Sequence, residues 1–562
     1  MRNILLMRAS VVAACVLGAA ACTGTVGSVG GETTGTVGGG GPGGGGVGQP
    51  TPTGPCDQAA SLGPARVWRL TDQQYVKSVA QVFGVVVPPE VTAPDTQPAD
   101  FTNLSEIVSV DGRAAAAYST TAESAARAAV KANLGTFLPC GSSDSCVQSF
   151  IRNRVSRAFR RTVTDAEVTS RMGLYKMGAA DDVATGLEMV IEATLQSPSF
   201  LYRTEIGAPV AGGPTARVAL TPFEVATAVS FALLDSVPDD TLWKKAEDKS
   251  ILKPSVLAGE IDRLMALPEA QENVSHNAGF WLGVERLHQT EKETSAGYFP
   301  EFTPDLKQSL YDSTRLFVRD VITRGKVTDL LTSSRMYVND GLAKVYGLPG
   351  GMGSALVATD VSTPERSGGI LTQPAVLAAF SRPDRGDPIH RGLFIYNSII
   401  CGTSLPEPPA NALGIASTFP KDASERELAN LRATNSNGCG ACHGSFDPLG
   451  LATEKYDPIG RYHATDAKGA PIDSSAVLNL GSDLSGTITG LPDLIGKLKT
   501  GRRVSDCAAT NMAQFVLGRS VVGDNSCAMQ EAKNQFAASG SFTDYFRALL
   551  TSPGFLTRDG EK

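Results

Sequence analysis

Apolar residues recur at helical rather than alternating spacing along most of the chain. Ala114 to Ala132, Val147 to Phe159 and Val183 to Leu195 show it, as do Val256 to Ala266, Glu272 to Leu287, Pro304 to Ile322 and Ser505 to Gly518. Three helix starts carry a reciprocal cap: Thr71-Asp72-Gln73-Gln74, Thr164-Asp165-Ala166-Glu167 and Thr221-Pro222-Phe223-Glu224. The third has proline at the first helical position, where a missing N–H does no harm. Alternation is scarce, and Arg217 to Leu220, Ala355 to Ala358 and Ser475 to Leu480 read as short strands. The pattern predicts a mainly α protein of several helical subdomains with a few short strands. Trp243 and Trp281, on apolar helix faces, read as core anchors.

The N-terminal stretch breaks this pattern. Arg2 and Arg8 precede an apolar run from Ala9 to Ala21, too short for a permanent membrane span, which reads as a secretory signal over 1–21. Ala20-Ala21-Cys22 resembles a bacterial lipobox, which predicts lipidation of Cys22 and anchorage in a membrane. By analogy with bacterial lipoproteins, Thr23 after that cysteine favours delivery to the outer membrane. Residues 22–55 are nearly all Gly, Thr, Val and Pro; they cannot bury enough apolar area to offset ordering and read as a flexible linker.

Charge removes one class of partner. The formal net charge is −7, and loss of Arg2 and Arg8 with the signal takes it to −9, so no basic surface points to nucleic acid. The dense basic cluster Arg157-Ala158-Phe159-Arg160-Arg161 reads as a solvated or carboxylate-paired helix face. Neither Gly-x-Ser-x-Gly nor His-Glu-x-x-His occurs, so no hydrolase signature is present, and Asp239-Asp240 reads as a helix cap.

The chemistry concentrates in Cys439-Gly440-Ala441-Cys442-His443. With 10 Cys and 5 His in 562 residues, chance gives Cys-x-x-Cys-His roughly 0.002 times in such a chain, so accident does not explain it. The spacing is that of c-type haem attachment, two thiols for the porphyrin vinyl groups and a histidine for the iron. The rivals are a redox disulfide, which wants βαβ surroundings, and half a zinc site, which wants a second ligand pair; the flanks supply neither. On the haem reading Cys439, Cys442 and His443 hold haem c, and Met512, His390 or His463 is the distal ligand unless each is structural. Arg391 and Arg461 either meet haem propionates or pair with Asp387, Asp447 or Asp457. His276 and His288 have no supporting pattern.

Setting aside Cys15, Cys22 and the haem pair leaves six cysteines, the even number expected in a disulfide-forming compartment. Cys140 with Cys146 and Cys507 with Cys527 are the expected local pairs, and Cys56 with Cys401 follows by elimination; sequence does not fix connectivity.

An ordered motif series gives a resemblance. It runs from Trp68-Arg69-Leu70-Thr71 with Gln74-Tyr75, through Arg157 to Arg161, Leu220 to Glu224 with Pro238-Asp239-Asp240, and Tyr337-Val338-Asn339 with Leu342 and Tyr346-Gly347. It continues through Pro388 to Gly392 with Cys401 and Pro406 to Pro409, the Cys-x-x-Cys-His element, Asp447-Pro448-Leu449-Gly450 with Glu454, Asp457, Gly460 and Arg461, and Leu517-Gly518-Arg519. Over nearly all of residues 66 to 556 this resembles the planctomycete-type multidomain cytochrome c-like lipoproteins. The resemblance implies domains of unknown function around one cytochrome c-like unit.

The expected organisation is a signal at 1–21, a linker at 22–55, helical domains at 56–205, 206–270 and 271–385, a cytochrome c-like domain at 386–480 and a C-terminal helical domain at 481–562. The leading expectation is an envelope lipoprotein transferring electrons to or from an unidentified redox or envelope partner. The alternatives are a non-redox scaffold binding polysaccharide or protein, and a haem oxidase or peroxidase.

Overall fold

The computed structural model describes residues 56–57, 60–88, 112–210, 217–295, 297–407, 410–420, 423–434, 438–521 and 524–560. The expected signal, Cys22 and the linker at 22–55 lie outside them. The described chain is mainly α, as the spacing predicts. No described helix is long and apolar enough to cross a membrane.

The N-terminal part assembles from its caps. Thr71 and Gln74 bond reciprocally to start α1 (Asp72–Phe83), which ends at Gly84. Next come α2 (Gly112–Phe137), α3 (Asp165–Gly178), started by the Thr164/Glu167 box, and α4 (Val183–Leu195). Buried Leu187, Val190, Ile191 and Leu195 recur at helical spacing on α4, which packs on both α2 and α3. The segment predicted as one helix from Val147 to Phe159 contains a π turn at Ile151–Val155. Strand β1 (Arg66–Arg69) pairs antiparallel with β2 (Tyr202–Glu205), placing Arg66 opposite Glu205. Arg558 joins the same carboxylate at 2.9 Å. Burial alone would raise the Glu205 carboxyl, but Arg558, Arg66 and Arg203 outweigh it and hold it well below the usual carboxylate range.

The basic cluster divides by environment. Arg157 pairs with Asp240, and Arg161 with Glu167. Arg160 is buried and donates to the carbonyls of Ala158, Ser199, Phe200 and Tyr202, so it is neither solvated nor carboxylate-paired.

A large apolar cluster includes Leu62 and runs from Leu220 to Phe555, and a smaller one surrounds Met336, Leu342 and Ile459. Helix α5 (Pro222–Leu234) opens with the Thr221/Glu224 box; Glu224 also accepts from the N–H groups of Ile206 and Gly207. Trp243 and Trp281 are buried, and Trp281 Nε1 donates to Ser398 at 2.6 Å. After α6 (Pro304–Arg324) come α7 (Pro388–Phe394), α8 (Glu425–Thr434), α9 (Gly440–Leu451), α10 (Arg503–Leu517), α11 (Cys527–Ser539) and α12 (Phe542–Leu550). The strands expected near 217, 357 and 476 are present; the first, Arg217–Ala219, pairs with the late strand Thr557–Asp559.

Among the described residues three disulfides form: Cys140–Cys146, Cys56–Cys527 and Cys401–Cys507. The first is the expected local pair, but the expected Cys507–Cys527 and Cys56–Cys401 pairs do not occur. Cys507 lies near the start of α10, and ten further residues to Leu517 carry the chain about 15 Å away before Cys527. Cys527 instead meets the N-terminal segment, where its N–H donates to Asp57 while the Asp57 N–H donates to Asn525.

Candidate functional site

The Cys-x-x-Cys-His element forms the first turn of α9. The chain turns at Gly438 (φ +86°) and enters the helix at Cys439, whose carbonyl accepts from the His443 N–H at 3.0 Å. Gly440 is required by close approach, because a Cβ there would lie 2.5 Å from the Ala433 carbonyl oxygen at the end of α8. Cys439 and Cys442 carry thiols and are half-buried. Cys442 Sγ donates to the Pro406 carbonyl at 3.3 Å. Burial pushes its thiol up from the usual range, and the neighbouring Cys439 adds to the rise.

His443 is oriented by its own helix. Asp447 lies one turn on, and its Oδ1 stands 3.0 Å from His443 Nδ1. A carboxylate only accepts, so Nδ1 carries the proton, and the neutral form of the ring has its lone pair on Nε2. The ring rests on Phe446, with centroids 4.8 Å apart. Asp447 is buried and is clamped from α8 by Arg432, whose Nε donates to Oδ2 at 2.7 Å. Arg432 Nη2 is buried with no hydrogen-bond partner among the described residues. The motif series includes Asp447, which the charge pattern offers as a partner for arginine, but neither assigns it to His443 and neither names Arg432; the i,i+4 spacing of His443 and Asp447 is the available signal.

Helix α9 is seated by backbone contact with α7. A Cβ on Gly450 would meet Pro388, and one on Gly392 would meet Phe446, so the two helices run antiparallel with no side chain between them. Pro388, and with it His390, therefore lies toward the end of α9 opposite His443.

The remaining predicted residues have other partners. His390 Nδ1 is 2.6 Å from the buried carboxylate of Asp387. His463 lies 3.2 Å from Asp457 and is largely exposed. Met512 is fully buried in the main apolar cluster on α10. Arg391 is also buried, and its two terminal nitrogens donate to the carbonyls of Thr453, Tyr456, Leu377 and Asp457 and to Ser381 Oγ. These bonds join three chain segments. Arg461 takes the ion-pair alternative, with Asp457 at 2.6 Å and with Glu301. His276 and His288 flank Glu285, at 3.5 and 3.6 Å.

Two further features lie apart from the thiols. Glu454 is pushed up to about 7, chiefly by burial and further by Glu425, against the pull of Arg391; its Oε1 has no hydrogen-bond partner among the described residues. A cleft of about 800 Å³ is lined by Glu301, Asp305, Asn339, Asp340, Lys344 and Arg461, among others, and includes none of Cys439, Cys442 and His443. Among the described residues no group of three or more His, Cys, Asp and Glu side chains is arranged to hold a metal ion.

Comparison with known families matches four segments in chain order. Residues 68–131 match PSD3 (protein of unknown function DUF1587), 146–205 match PSD5 (DUF1595), 220–348 match PSD4 (DUF1592) and 367–466 match PSCyt3 (DUF1588). All four families are of the planctomycete cytochrome c-like multidomain type, so the resemblance read from the motif series holds for these four domains of unknown function, while none of the matches is to a Cys-x-x-Cys-His domain as such. Their descriptions assign no activity. No curated protein and no solved structure matches the chain.

Proposed function

We propose that this chain is an exported lipoprotein of the planctomycete-type multidomain cytochrome c-like family that carries one haem c on Cys439, Cys442 and His443 and transfers electrons in the cell envelope. One observation carries the reading: two thiols and an imidazole stand on a single helical turn, and a buried carboxylate already selects the imidazole tautomer that leaves Nε2 available. This donor set fits covalent haem. When bound, the haem supplies a one-electron couple. The chain's own part would be to hold it: Cys439 and Cys442 would supply the thiols for the thioether links and His443 Nε2 the iron ligand, while Phe446 backs the imidazole and the α7 contact keeps the turn in place.

Other features support the same reading. The name PSCyt3 falls on the segment that contains the motif. Three disulfides suit an exported body. Lipidation at Cys22 would anchor it to the outer membrane, facing periplasm or surface, where its partner is a redox protein or another envelope component rather than nucleic acid. The test is a covalent-haem stain and a reduced absorption spectrum of wild type beside Cys439→Ser, produced in an export-competent host with cytochrome maturation. Wild type should stain and show a reduced cytochrome spectrum that the variant weakens or loses. A colourless wild type refutes the proposal and leaves a non-redox scaffold.

A second reading, a haem oxidase or peroxidase, is favoured by Met512, which is fully buried in the main apolar cluster, and by His390, which lies toward the end of α9 opposite His443. It requires an open sixth position, so carbon monoxide should change the reduced spectrum; an unchanged spectrum favours the closed carrier.

A further inference from the structure

We infer that Asp447, held by Arg432, is a positioning residue that makes His443 an electron-rich ligand and biases the site toward its oxidised state. The inference rests on the haem reading and adds a determinant of potential to it. His443 and Asp447 share a helix face at i,i+4, and Nδ1 meets Oδ1 at 3.0 Å. The other carboxylate oxygen is fixed from a different helix by Arg432 at 2.7 Å. Side-chain exposure falls from 22% at His443 to 4% at Asp447, so the bond operates largely out of water. A neutral carbonyl would also select this tautomer. A desolvated carboxylate accepts more strongly, draws the Nδ1 proton toward itself and leaves Nε2 the more basic donor. A more basic ligand stabilises the more positive iron, and Arg432 keeps the carboxylate from rotating away.

The experiment uses the full chain with its maturation machinery and compares wild type with Asp447→Asn, which keeps the size and an acceptor oxygen while removing the charge. Both proteins are stained for covalent haem and titrated potentiometrically. At the wild-type midpoint the variant's reduced-to-oxidised ratio should rise about tenfold, a positive shift of about 59 mV for one electron. Haem on both proteins with an unchanged or more negative midpoint overturns this inference alone. Wild type without haem overturns the haem reading and this inference with it. A second measurement does not require the variant to mature: in a haem-free Cys439→Ser/Cys442→Ser chain with ¹⁵N-labelled histidine, the neutral form of His443 should be the Nδ1–H tautomer. Protonation on Nε2 instead overturns the inference.

Discussion

Replacing Gly450 by alanine tests whether the backbone contact between α7 and α9 seats the Cys-x-x-Cys-His turn. The new Cβ would lie 2.6 Å from the Pro388 carbonyl carbon and 2.8 Å from its Cα, and closer still to its oxygen. Ordinary carbon contacts are about 3.5–4.0 Å, so the helices must part by roughly 1 Å, and a gap of that size forfeits a quarter to a half of the dispersion attraction across it. Phe394, Ile395, Phe446, Leu449 and Leu451 are buried along or beside this seam. At roughly ten atom pairs each and 0.1–0.2 kcal/mol per pair, the loss is about 2–4 kcal/mol. Alanine returns about 1 kcal/mol of helix propensity, so the net destabilisation is about 1–3 kcal/mol. Gly173 in α3 is the control: it is exposed, its Cβ would meet nothing within 4 Å, and Gly173→Ala should stabilise by up to about 1 kcal/mol. Urea unfolding followed by tryptophan fluorescence reads both variants, since Trp281 is bonded to Ser398 just beyond α7. If Gly450→Ala matches or exceeds wild type in stability, the close contact is not what holds these helices together.

Glu454 should impose a pH dependence. Its folded value of about 7 lies above the ordinary 4.5, so the native state keeps a proton that the unfolded chain has released. Its stabilisation is therefore complete below about pH 4.5 and is lost as pH rises to about 7, a change on the order of 3 kcal/mol. Glu454→Gln should flatten the stability profile over that interval, and parallel wild-type and variant profiles would count against the argument. Glu224→Ala removes an acceptor serving four donors, from Ile206, Gly207 and both the N–H and hydroxyl of Thr221. It should lower unfolding free energy by about 2–3 kcal/mol, and a change below about 0.5 kcal/mol in urea unfolding would contradict the role assigned to it.

What could be read from the residue order follows how local each interaction is. Caps act over three residues, so the starts of α1, α3 and α5 were legible from Thr71, Thr164 and Thr221. Helices α7, α8, α9, α11 and α12 were not anticipated: α7 and α9 are short and interrupted by Gly and Pro, with Pro448 inside α9, and their stability comes from tertiary contact. The pairing of β1 with β2 joins residues 139 apart, a distance over which spacing carries no signal. At the site, motif spacing named Cys439, Cys442 and His443. The support from Arg432 depends on α8 folding over α9, and the involvement of Arg391 with backbone carbonyls depends on three segments meeting, so neither could be read in advance.

The Cys56–Cys527 bond has a topological consequence. It closes a covalent ring containing all of the chain between those two residues. One proteolytic cut anywhere within that ring opens the loop without releasing a fragment, so nicked and intact molecules differ in mass only by the water added at the cut until a reductant is added. Damage to such a body is retained rather than shed.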